Sequence, residues 1–258
     1  MPVAAPQTQL VRGIKRLVWI GSAFALWHLV TRLGEIPAYI LPSPLDVLKT
    51  LFEDRWILWG HARETLFQWS VGLALSTFVA LLLSWLAFES RSFDKLLNRT
   101  LVVSQSVPYL TIAPLLLLWF GLGATPKIIL ILLTCTFPIT QLTLSGLRNA
   151  QLDYGILAAV LRLKKSKALR KIYAPAALPQ FFEGVKIAVT YAFVSSVLAE
   201  LIGSEAGLGV YLSRAQTAYR TDRVMAVVVV IVLFSLLCTW MVGHLARRTL
   251  YWKVEKNV

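Results

Sequence analysis

The segment GILAAVLRLKKSKALRKIYAPAALP, Gly155 to Pro179, lies between two hydrophobic blocks, and its reading decides the fold. Seven Lys or Arg residues fall between Arg148 and Lys171 (Arg148, Arg162, Lys164, Lys165, Lys167, Arg170 and Lys171), with Asp153 the only acid among them. Apolar blocks of membrane-spanning length on either side make this a basic loop on the cytoplasmic face, and a docking element rather than a linker. Ala158 and Ala159 suit a closely approaching short helix, and Lys164, Lys165 and Ser166 read as a solvated break. A second short helix is expected through Leu169 and Ile172, stopped by Pro175 and Pro179. Leu157, Leu161, Ala168 and Ile172 share one face with lysines at its margins, a surface suited to a groove on a soluble partner.

Composition supports the membrane reading. Of 258 residues, 57% are hydrophobic and 15% charged, and the mean hydropathy is +0.67, outside the range of soluble domains. The net charge of +13 follows from positive-inside topology in a polytopic protein, so nucleic-acid binding is not needed to explain it. Cys135 and Cys238 both sit in apolar runs, which argues against disulfides, and His28, His61 and His244 are far apart in sequence. No HExxH, phosphate-binding loop or GxGxxG is present, so neither catalytic nor metal-ligating residues are expected.

Six windows qualify as spans: Leu17 to Thr31, Leu66 to Phe88, Leu96 to Phe120, Pro126 to Leu147, Leu178 to Ile202 and Val224 to Ala246. The first ends in HLVTRLGE without a small-residue cleavage pattern, which favours a retained helix over a signal peptide. A cytoplasmic N-terminus puts seventeen of the twenty-six Lys and Arg residues inside, so both termini are expected in the cytoplasm. The expectation is all-α: about six transmembrane helices, a short cytoplasmic docking helix between the fourth and fifth, and a single transmembrane domain over 1–258. In it, 1–16 form a cytoplasmic N-terminus, 17–247 the transmembrane core and 248–258 a cytoplasmic tail. In the outer loop, Pro42 and Pro44 force an extended lead-in, and Ser43 or Asp46 caps a short helix. Leu45 to Trp59 then reads either as an amphipathic helix lying on the membrane face or as a packed loop helix.

The basic segment resembles the cytoplasmic signature of permease subunits of binding-protein-dependent ABC importers: Glu-Ala-Ala, then a Gly, then an apolar residue and Leu-Pro. Here AAVLRLKKSKALRKIYAPAALP matches the alanines and the Pro ending, while the family Glu falls on Ile156 or Leu157 and the Gly on Arg162 or Leu163. LPSP (41–44), SVPYLTIAPLLLLWFGLG (106–123), FPI (137–139) and AELIGSEAGLGVYL (199–212) are similar to the branch importing sulfonates, taurine and nitrate. PAALPQFFEGVKIAVTYAF and RAQTAYRTDRVMAVVVVI resemble permeases for pyrimidine precursors of thiamine.

The resemblance implies a bacterial inner-membrane subunit working with two ATPase subunits, a second permease copy as a homodimer, and an extracytoplasmic solute-binding protein. It implies no cofactor in this chain, with ATP and Mg on the ATPase. It assigns contact with that ATPase to Leu157, Ala158, Ala159, Leu161, Leu163, Lys164, Ser166, Leu169 and Ile172.

Polar groups inside a bilayer are costly unless paired or facing a cavity, so Gln105, Tyr109, Thr111, Thr136, Thr140, Gln141, Tyr191, Ser195 and Glu200 are pathway candidates. Each has a plainer alternative: the hydroxyls bond within or between helices, the tyrosines pack, and Glu200 is structural. Gly203, Gly207 and Gly209 form either a gate or a tight outer turn. Glu183 and Lys186 read as an intrahelical pair. Two other classes would show different patterns. An integral membrane lipid-modifying enzyme would need clustered acids or histidines, and a passive channel would need a filter segment; neither pattern is visible.

Overall fold

A computed structural model of the chain describes the backbone of residues 6–250 and the side chains within it, except those of 6–17, 20, 105 and 110. The basic residues Arg12, Lys15 and Arg16, and the tail beyond 250 with Lys253 and Lys256, lie outside the described side chains. The described chain is all helical: α1 (Pro6–Leu33), α2 (Pro44–Glu53), α3 (Arg55–Glu89), α4 (Arg91–Ser106), α5 (Tyr109–Phe120), α6 (Thr125–Val160), α7 (Lys165–Ala168), α8 (Ala174–Gly203), α9 (Leu208–Thr217) and α10 (Thr221–Thr249). A π turn at Leu169–Tyr173 joins α7 to α8, so Lys165–Gly203 is one continuous helix of 39 residues.

Four of the described helices are long and apolar enough to cross a membrane: α3, α6, the α7–α8 helix and α10. The window expected as one span over Leu96 to Phe120 is instead two helices, α4 and α5, broken at Val107 and Pro108. Pro108 has no N–H to continue the ladder, and it forces Val107 into an extended conformation (φ −89°, ψ 122°).

The basic segment also departs from expectation, because its two short helices are the ends of long ones. At 36 residues and about 1.5 Å per residue, α6 extends over about 54 Å, well beyond a hydrocarbon core of about 30 Å. Pro175 and Pro179 do not stop the following helix. Pro175 falls at the start of α8, directly after the π turn has absorbed the register change, and Pro179 is carried inside it.

The elbow between α6 and α7 is closed by a Schellman motif. Arg162 N–H donates to Ala159 O (2.9 Å) and Leu163 N–H to Ala158 O (3.0 Å), with Arg162 in the left-handed region at φ 50°. Of the two positions open to the family glycine, Arg162 is the one where glycine would relieve strain. Arg162→Gly is expected to stabilise the protein by about 1 kcal/mol, read as a raised midpoint of thermal unfolding in detergent.

Contacts divide the chain into two compact units. The first runs to Trp59 and includes Tyr211–Val229. Here Ser43 is the N-cap of α2 in a capping box: Asp46 N–H donates to Ser43 Oγ (3.3 Å) and Ser43 N–H to Asp46 Oδ2 (3.1 Å). The hydrogen bond from the Ser43 hydroxyl (2.7 Å) holds the Asp46 carboxyl below the usual carboxylate range. The helix stops at Asp54 rather than running to Trp59; α2 buries Val47 and Thr50 and exposes Leu45, Leu48 and Phe52. Asp54 accepts from Tyr211 Oη (2.6 Å) and pairs with Arg223 (2.9 Å), and Asp222 accepts from Thr50 (2.7 Å) and from Arg220. Burial, reinforced by the Asp54 carboxylate, pushes the Tyr211 phenol above its ordinary pKa.

The second unit spans Gly60–Val210 and resumes at Val230. Its centre is built by Leu73 and Ala80 of α3, Ile131, Cys135 and Ile139 of α6, and Val185, Ala188, Val189, Ala192 and Phe193 of α8. Gly184 of α8 lies so close to α6 that a Cβ there would meet Ile139 Cα at 3.0 Å and Pro138 O at 3.1 Å. Small residues at such a contact let apolar helices pack through backbone approach. Trp69 stacks on Phe193 at 4.9 Å and donates from Nε1 to Val189 O (3.1 Å), tying α3 to α8.

Candidate functional site

Two places in the second unit concentrate the residues singled out in the sequence. At the elbow, the nine coupling candidates divide by exposure. Leu157, Ala159, Leu161, Lys164 and Ser166 face outward. Ala158 and Leu169 are buried with Leu147, Ala150, Ala168, Tyr173 and Ala177, and Leu163 and Ile172 pack against that cluster. The face expected to combine Leu157, Leu161, Ala168 and Ile172 is therefore not one face, because the elbow turns between them. Three residues outside the nine coupling candidates, Leu152, Ile156 and Val160, are exposed at four-residue intervals along the end of α6. Their i, i+4, i+8 spacing is the signal that marked them.

The opposite end of α8 holds a buried carboxylate. Glu200 is 1% exposed and accepts hydrogen bonds from Thr65 Oγ1 (2.8 and 3.1 Å to its two oxygens) and from Gly209 N–H (2.8 Å). Leu208 N–H donates to Thr65 Oγ1 (2.9 Å), and Gly207 N–H to His61 Nδ1 (3.1 Å). Lys127, in the first turn of α6, is buried as well. Gly207 has φ +129°, and a Cβ there would lie 2.2 Å from the Glu200 carboxyl carbon. The loop Gly203–Gly209 is thus folded over Glu200, with Gly207 and Gly209 brought to it and Gly203 packed against Leu117 instead. Thr65, His61 and Lys127 were missed; the one-turn spacing of His61 and Thr65 on α3 was the available signal.

The other pathway candidates are dispersed. Ser195 Oγ donates to Thr134 Oγ1 (2.8 Å), a bond between α8 and α6 in the buried interface. Thr136 and Thr140 are buried with hydroxyl oxygens that have no hydrogen-bond partner among the described residues. Gln141 donates to Asn98 (3.4 Å), which bonds Asp94, and Asp94 pairs with Arg148 (2.5 Å), linking α4 to α6. Thr111 donates to Pro108 O (2.7 Å) and is exposed; Tyr191 is exposed, Tyr109 is half-buried, and the Gln105 side chain lies outside the described residues. Glu183 and Lys186 pair at 2.7 Å, as the three-residue spacing implies. Among the described residues no group of three or more His, Cys, Asp or Glu is placed to hold a metal ion.

Four bilayer-length helices, with a basic elbow prolonging two of them, define a multi-pass, all-helical permease fold. The chain belongs to the family of binding-protein-dependent transport system inner membrane components, which matches residues 72–251. It is 36% identical over 241 residues to a probable ABC transporter permease protein of Haemophilus influenzae, covering 93% of this chain and 98% of that one. It is 31% identical to the formylaminopyrimidine transport permease protein ThiX of Halalkalibacterium halodurans (90% and 92% covered). It is 30% identical to the putative aliphatic sulfonates transport permease protein SsuC of Bacillus subtilis (93% and 90% covered). In fold it is similar to a chain of the inward-facing MetNI methionine ABC transporter, with a TM-score of 0.68 and 16% identity over 76% of this chain and 98% of that one. These relatives are ABC transporter permeases, and none supports the lipid-modifying alternative. The chain is the permease subunit of an ABC importer.

Proposed function

We propose that the chain forms part of the passage for a small polar solute of the thiamine pyrimidine-precursor class, paired with a second copy, two ATPase subunits and an extracytoplasmic binding protein. The observation that carries the ATPase contact is the row Leu152, Ile156 and Val160. It lies on the part of α6 that extends past any bilayer, where water cannot stabilise a run of exposed apolar side chains and a protein groove can. Leu157 and Leu161 widen this surface, and the basic residues Arg162 to Lys171 support its cytoplasmic placement. ATP and Mg reside on the ATPase, and ATP-driven closure moves the elbow and alternates access to the passage. Thr111, Gln141 and Tyr191, which are at least partly accessible, are the passage-lining candidates.

The pyrimidine-precursor reading draws on the likeness to ThiX; the alternative, a sulfonate, taurine or nitrate passage, draws for sulfonates on a nearly equal likeness to SsuC. Uptake by proteoliposomes of the assembly with its binding protein, measured for formylaminopyrimidine, taurine, alkanesulfonates and nitrate, separates them; a preference for taurine or a sulfonate overturns the first. Leu161→Asp is expected to leave the chain folded in the membrane while copurified ATPase falls about tenfold or more, since a charge cannot be accommodated in an apolar groove. Undiminished ATPase would sink the elbow assignment.

A further inference from the structure

Lys165 was expected to belong to a solvated break; it is exposed, but it opens α7 and its ammonium is tied to another helix. Its Nζ donates to the backbone oxygens of Phe88 (2.9 Å) and Glu89 (2.8 Å), the last residues of α3, and lies 3.4 Å from the Glu89 carboxylate. It also sits 5.5 Å from the centre of the Phe88 ring. The last turn of α3 contains no basic residue of its own, so Lys165 supplies the positive charge that the carbonyl end of that helix attracts. Phe88 doubles the link. Its ring meets Tyr173 edge-on at 5.8 Å, and it packs both on the elbow cluster and on the cluster of Ala87, Leu97, Leu101 and Leu144 that holds α4. From the elbow, then, a polar tie and an aromatic contact run to the same turn between α3 and α4.

We propose that Lys165 is a positioning residue for energy coupling. It clamps the carbonyl end of α3 to the elbow, so that a displacement of the elbow carries the α3–α4 turn with it. The side-chain ammonium groups of the neighbouring Lys164, Lys167 and Lys171 make no hydrogen bond or ion pair among the described residues, which sets Lys165 apart from them. This role rests on the reading that the elbow docks on the ATPase.

The test uses the full assembly in lipid nanodiscs, with hydrogen exchange followed in residues 88–91 and 155–163, with and without Mg-ATP. In wild type both segments are expected to change exchange rate on nucleotide addition, the turn by about tenfold. In Lys165→Met the change at 155–163 persists while that at 88–91 falls below about twofold, and exchange without nucleotide stays near wild type across the rest of α3. Lys165→Arg restores the response, because a guanidinium reaches the same carbonyls, and Glu89→Gln leaves it intact, because the backbone oxygens remain. A full nucleotide response at 88–91 in Lys165→Met overturns the proposal, as does a loss in Glu89→Gln equal to that in Lys165→Met. Should Lys165→Met fail to fold, failure of Lys165→Arg to respond at 88–91 overturns it equally. Absence of a nucleotide response at 155–163 in wild type rejects the docking reading instead.

Discussion

Leu169→Asp is expected to keep the folded chain from accumulating, in contrast to Leu161→Asp, although both residues are leucines of the same basic segment. Leu161 is 55% exposed on the elbow, whereas Leu169 is 8% exposed inside it. Leu169 touches the cluster of Leu147, Ala168, Tyr173 and Ala177 and lines an apolar cavity of about 510 Å³ with Leu81, Trp85 and Phe181. The Ser84 and Thr143 hydroxyls in that cavity already donate to carbonyls of their own helices, Ala80 O and Ile139 O. A carboxylate there loses the packing of the leucine, and although Ser166 and Arg170 also line the cavity, the loss costs about 3 kcal/mol or more, a large part of the stability of many domains. The measurement is the monodisperse yield of each variant from detergent extracts, with ATPase copurification as the second readout. A well-folded Leu169→Asp that merely loses ATPase would show that Leu169 is a contact residue and not part of the elbow's core.

The second large effect lies at the far end of α8. Gly207→Ala forces a Cβ into the Glu200 carboxyl group at a backbone angle that side chains rarely adopt, and is expected to destabilise the protein by about 3 kcal/mol or more. Glu200→Ala removes the acceptor of Thr65 Oγ1 and Gly209 N–H and leaves a cavity, at about 3 kcal/mol. The two are expected not to add. Truncating Glu200 clears the atoms the new Cβ would strike, so the double variant recovers about 1 kcal/mol or more relative to the sum of the single ones. Thermal unfolding of the four proteins, with limited proteolysis of the 203–209 loop, checks both the size and the coupling. Strict additivity would mean that Gly207 answers to backbone conformation alone.

The sequence was most legible where a pattern is local. Hydropathy located α3, α6, α8 and α10, because a bilayer demands long apolar runs whatever their neighbours. Ser43 and Asp46 announced the cap of α2, since that hydrogen-bonding geometry closes within four residues. The break at Val107 and Pro108 was equally local, yet the apolar run over Leu96 to Phe120 outweighed the proline in the reading. Pro175 and Pro179 misled in the other direction, because a π turn and membrane packing accommodate prolines that would end an isolated helix.

By itself, the sequence determined that this is a multi-pass helical protein, that a basic segment lies between two of its apolar runs, and which permease family it resembles. These properties depend on composition, helical period and short motifs. Only the tertiary structure decided that Leu161 is free and Leu169 buried, that Glu200 holds the glycine loop and contacts Thr65, and that Lys165 reaches the end of α3. Thr65 and Glu200 are 135 residues apart and Lys165 and Phe88 are 77 apart, so no local pattern encodes their contact. The packing of α3, α6 and α8 brings them together, and their short-range hydrogen bonds follow from that arrangement.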